Sequence, residues 1–128
     1  MKALIAIAAL AALAALCPLS VFAECPYPTA PKAIPDGAKA TLDEMMETKK
    51  AVKAYDDATS TYLDCIKKDH DDAIAGIPDL TTDKGKKSKD QIDKMEAEKH
   101  NAAVSADQTV ADHFNAQVRI FKARDQKK

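Results

Sequence analysis

The placement of proline constrains this chain more than any other feature. Of six prolines, four crowd positions 26, 28, 31 and 35, one stands at 78, and none follows. Proline fixes φ, lacks an amide hydrogen and breaks a helix interior. The segment 26–35 therefore takes an extended, polyproline-like path, while 36–77 and 79–128 are free to form long helices.

The first of these stretches carries its own start signal. Asp36-Gly37 marks a turn, and Thr41-Leu42-Asp43-Glu44 has the capping-box pattern, in which the threonine hydroxyl and the glutamate carboxylate each bond the other's backbone NH. Met45, Val52, Thr59, Ile66 and Ala73 then recur every seven residues, flanked by Tyr55 and Tyr62 on one side and Leu42 and Leu63 on the other. That is one apolar stripe on a helix. Gly76, through a left-handed cap, and Pro78 end it, which predicts a helix over 41–75.

A polar connection runs from Asp79 to Lys87. Beyond it, Ile92, Met95, Ala102, Ala103, Ala106, Val110, His113, Phe114, Gln117, Ile120 and Phe121 repeat at three- and four-residue spacings. A second helix is predicted from about 82 or 88, its start blurred by Gly85, to about 123, with Arg124 to Lys128 frayed. Its middle is nearly all alanine on the predicted buried face, which permits close approach of another helix. The expected fold is all-α: a long antiparallel two-helix hairpin over 41–128, preceded by a proline-rich extended arm at 24–40. Two such rods bury a single seam, so the arm or a second molecule must cover the stripe.

Residues 1–23 read as a signal peptide. Lys2 is followed by alanine, leucine and isoleucine from 3 to 16, and Val21 and Ala23 occupy the −3 and −1 positions of a cleavage site between Ala23 and Glu24. A membrane anchor is the alternative, but the apolar run ends at Cys17-Pro18, short of the roughly 20 residues a spanning helix needs. A lipid-modified cysteine wants a small residue before it, and Leu16 and Glu24 are not small. The expected location is periplasmic or secreted, with no membrane span in the mature chain. Cleavage leaves 18 basic and 20 acidic side chains, interleaved along the whole length. No basic patch of the kind that grips nucleic acid is present.

The mature chain keeps Cys25 and Cys65, an even pair in a compartment where disulfides persist. A structural intramolecular bridge is expected; a bridge between chains and a redox pair are the alternatives, the latter without the close Cys-x-x-Cys spacing of redox sites. The reach is sufficient. Thr41 to Cys65 rises about 36 Å along a helix, and the residues back to Cys25 span about 50 Å in polyproline form. The arm would fold back at Asp36-Gly37 and run antiparallel to the first helix, with Tyr27 against Tyr55 and Tyr62.

Glu24-Cys25, Pro28, Ile34-Pro35-Asp36-Gly37, Glu44-Met45, Val52-Lys53, Tyr55, Tyr62-Leu63 and Cys65 together resemble a group of small exported helical proteins of Gram-negative bacteria that have no assigned function. The likeness covers roughly residues 24 to 66. It implies the same disulfide and helical hairpin, and no chemistry. Leu80-Thr81-Thr82-Asp83-Lys84 approaches the Leu-Thr-x-x-Gln motif of periplasmic ATP-independent helical chaperones, with lysine in place of the glutamine and a single copy.

Candidate chemistry is sparse. Asp69-His70-Asp71-Asp72 is rich in metal-ligand types, but successive helical residues diverge by about 100°, so the cluster reads as a solvated face with i,i+4 ion pairs. His100 and His113 are thirteen residues apart, nearly 20 Å along a helix axis, too far to share one ion, and His113 reads as a core-edge residue. Met45 and Met46 lack a Cys-x-x-Cys-His haem motif and read as packing. Ser60, Ser88 and Ser105 have neither a histidine at contact spacing nor a glycine elbow. The expectation is therefore a protein with no catalytic residues, cofactor or bound metal, His70, His100 and His113 being the only metal candidates. It would work by contact with another protein or an envelope component, as a helical scaffold or chaperone-like binder and in a form that includes homo-oligomers. The alternative is a carrier of a small ligand or metal in the helix seam.

Overall fold

The computed structural model describes residues 25–126. The leader, its cleavage site at Ala23 and Glu24, and Cys17 lie outside the described residues. Two helices, α1 (Leu42–Ala75) and α2 (Asp83–Asp125), pack against each other, and no strand occurs among the described residues. With 34 and 43 residues, they are about 50 and 65 Å long at 1.5 Å per residue.

α1 starts where the capping box places it. Thr41 Oγ1 accepts from the Glu44 amide at 3.2 Å, and the Thr41 amide donates to Glu44 Oε2 at 2.7 Å. Those bonds from the Thr41 amide and hydroxyl hold the Glu44 carboxyl below its ordinary range. The other end of α1 departs from expectation. Gly76 is right-handed, at φ −76° and ψ −6°, and its amide bonds back to Asp72 and Ile74 carbonyls. A left-handed glycine is unnecessary because Pro78 already bars its predecessor, Ile77, from the helical region.

The connection explains why the start of α2 was ambiguous in sequence. Asp79 Oδ1 accepts from the Thr81 amide and hydroxyl, and Thr82 caps α2 by accepting from the Gly85 amide at 3.1 Å. Gly85 is buried inside the first turn of α2, and a Cβ built there would sit 1.9 Å from the Asp79 carbonyl oxygen. Its glycine lets the connecting loop lie directly on the helix and does not delay the helix start.

α1 and α2 run antiparallel, and the arm binds across both. The Cys25–Cys65 disulfide fixes its beginning, Tyr27 meets the Tyr62 ring edge-on at 5.1 Å between centroids, and Pro28 is buried. At the turn, Lys39 and Ala40 amides donate to the Asp36 carbonyl. The Gly37 amide donates to Gln117 Oε1 at 2.9 Å, and Arg124 Nη1 donates to the Ala40 carbonyl at 2.9 Å. The arm thus follows α1 at its start and closes on the last turns of α2, a contact that the sequence reading did not foresee. Arg124, expected to fray, instead ties α2 to the arm.

Met45, Thr48, Tyr55, Thr59, Tyr62 and Ile66 of α1 are buried together with Ala40 and Ala103. Ala103, on the alanine-lined face of α2, is completely enclosed. Tyr62, Ile66 and Ala103 form the central cluster, with Cys25 and Leu63 packed against it. Leu42, placed on the flank of the stripe by its spacing, is 63% exposed while Ala40 and Met45 on either side of it are buried, because it faces away from the packed side of the first turn. His113 is likewise exposed and not at the core edge.

Candidate functional site

Three groups of polar side chains gather along the seam. The first surrounds the bridge. Asp69 lies one turn after Cys65 on α1, and its Oδ2 is 3.1 Å from Cys25 Sγ. In the bridged state that sulfur has no proton to give, so the contact sets a carboxylate against bare sulfur. Cys25, Cys65 and Asp69 are all half-buried, and their ligating atoms lie within 4.8 Å of one another.

The second group joins the two helices near the connection. His70 reaches across the seam, its Nε2 2.8 Å from Asp93 Oδ1 and its Nδ1 3.2 Å from Asp71 Oδ1. Lys67 pairs with Asp71, and Lys89 with Asp93, each at i,i+4 spacing. Bonding to Asp93, and then to Asp71, raises the His70 pKa above its ordinary value of 6.5. Lys89 and His70 together depress Asp93, as Lys67 and His70 depress Asp71. This arrangement favours an imidazolium held between two carboxylates. A metal ion would have to displace both acids from the ring nitrogens.

The third group faces Asp107 of α2 towards Asp56 of α1. Burial, then the Asp56 charge, pushes the Asp107 carboxyl up. Lys49, Val52, Ala111 and Phe114 complete this shallow groove.

His100 and His113 are both exposed on α2, so the three histidines named from the sequence do not assemble into one site. The i,i+4 pairs of Lys67–Asp71 and Lys68–Asp72 form as a solvated face should. Sequence reasoning missed Asp93 and Asp107 as partners across the seam, because their pairing depends on helix register. Asp69 had a legible signal in its i,i+4 spacing from Cys65. Among the described residues no helix is long and apolar enough to cross a membrane. No protein-family model, curated protein or solved structure matches this chain.

Proposed function

We propose that this chain is an exported, non-enzymatic protein that acts by contact with another protein of the bacterial envelope, self-association included. The observation that carries the reading is the distribution of apolar side chains. The arm covers part of the seam, yet Leu42 and Met46 of α1 and Met95, Val104 and Ile120 of α2 remain 42–63% exposed. Exposed methionine and aliphatic side chains are what the apolar centre of a contact surface would draw on.

Export to the periplasm or outside the cell is supported by Lys2, the apolar run 3–16 and the Ala23–Glu24 boundary. The disulfide supports that location, since such bridges persist in oxidising compartments. The resemblance to small exported Gram-negative proteins points the same way. A carrier role in the seam receives less support: His70 is engaged by two carboxylates, and His100 and His113 are separate.

Sedimentation velocity over a concentration series tests the contact reading directly. Reversible association in the micromolar range is expected for the self-associating form, and Met95→Glu with Val104→Glu should weaken it. A stable monomer throughout that range, with no envelope protein cross-linking through a photoreactive residue at Met46, Met95 or Ile120, would remove the proposal.

A further inference from the structure

We propose that Cys25, Cys65 and Asp69, once the bridge is reduced, bind a zinc ion that replaces the disulfide as the tether of the arm. The two sulfurs and one carboxylate oxygen already lie within 4.8 Å of one another in a half-buried position. Tetrahedral zinc, with Zn–S near 2.3 Å and Zn–O near 2.1 Å, sets the sulfurs about 3.8 Å apart and each about 3.6 Å from the oxygen. Those separations fit the space the three groups occupy. The sulfurs must part from bonding distance, and the Cys25 sulfur must draw back from its 3.1 Å approach to Asp69.

Two further features prepare the site. Cys65 and Asp69 stand four residues apart on α1, the spacing at which a helix presents two ligands to one ion. The arm that carries Cys25 keeps other contacts when the bridge opens. Tyr27 against Tyr62, the Gly37–Gln117 bond and the Arg124 bonds to Ala38 and Ala40 hold the arm independently.

Charge then selects the ion. Two thiolates beside a carboxylate repel one another, and each disfavours ionisation of the next. A divalent cation removes that penalty, and sulfur ligands favour zinc over magnesium or calcium. Three protein ligands leave a fourth position for water or for a ligand from a partner.

The chemistry balances with a dithiol reductant. Its thiolate attacks one sulfur of the bridge, its second thiol resolves the mixed disulfide, and the reductant leaves as its own disulfide. Cys25 and Cys65 thereby gain two electrons and two protons. Zinc binding to the two thiolates releases those two protons.

The test uses the purified chain carrying Cys17→Ser, so that no third thiol contributes. Reduced anaerobically and titrated with cobalt(II), it should show sulfur-to-cobalt charge-transfer absorption saturating at one ion per chain. Cobalt binding should release two protons, and zinc should then abolish that absorption with no further release. The oxidised chain should show none. Asp69→Asn keeps both sulfurs and the side-chain shape, and should weaken zinc binding by about tenfold or more. Absence of the charge-transfer band on reduction, equal binding by the oxidised chain, or unchanged affinity in Asp69→Asn would each overturn the site.

Discussion

At the residue scale, the glycines differ in how much their places demand glycine. Gly37 is buried against α2, where a Cβ would lie 2.1 Å from the Gln117 carbonyl oxygen. A helix backbone cannot move aside, so Gly37→Ala is expected to lower unfolding free energy by about 1–3 kcal/mol, as overpacking does, measured by urea denaturation. Gly76 is the opposite case. Its φ is right-handed, and the nearest atom to an added Cβ is at 3.4 Å. Gly76→Ala should be neutral or stabilise by up to about 1 kcal/mol through the unfolded chain's entropy. A clear loss would restore the left-handed cap expected from sequence. Thr59 offers a third contrast. Its hydroxyl is buried without a hydrogen-bond partner among the described residues. Thr59→Val removes that cost at constant shape and should stabilise by about 1 kcal/mol. The sequence showed Thr59 on the stripe; that its hydroxyl goes unpaired depends on what packs over it.

At the element scale, the junction of α1 and α2 is held by charge as well as by packing. His70 has a pKa raised by Asp93 and Asp71, so its contribution is full below the unfolded value of about 6.5 and is lost as pH rises through the higher folded value. Asp71 and Asp93 are depressed. Their contribution is present above the ordinary carboxylate range and is lost as pH falls through the lowered values. The junction is thus strongest in mildly acidic solution. Denaturation midpoints measured against pH should decline above about 6.5, and His70→Gln should flatten that decline; an unchanged slope would place its origin elsewhere. Local signals were legible for both helices: the capping box at Thr41, the stripe, and the stop at Pro78. The partner of His70 was not, because Asp93 comes within reach only when the connection sets the register of α2 against α1.

At the scale of the whole molecule, the arm and the bridge close a fold that two helices alone leave open. Cys25 and Cys65 are 40 residues apart, and a loop of that size stabilises by about 4 kcal/mol on the chain-entropy argument. Reduction without metal is expected to lower the urea midpoint by a corresponding amount, with most helical circular dichroism retained at low urea because the arm has its other contacts. Equal midpoints for oxidised and reduced chains would show that packing, not the cross-link, holds the arm. Small domains have little stability to spare, so this single bond matters more here than it would in a larger core.

The sequence by itself determined which segments are helical and which is extended, because proline geometry, capping and apolar periodicity act between near neighbours. It also supplied the only pair of cysteines available to bridge within 24–128, and the chain lengths that let them meet. The tertiary structure decided the rest: the closure of the arm onto α2 through Gly37, Gln117 and Arg124, the pairing of His70 with Asp93, and the approach of Asp69 to the bridge. Those contacts join residues far apart in the chain, and their energies depend on the relative register and rotation of two rods, which no local pattern encodes.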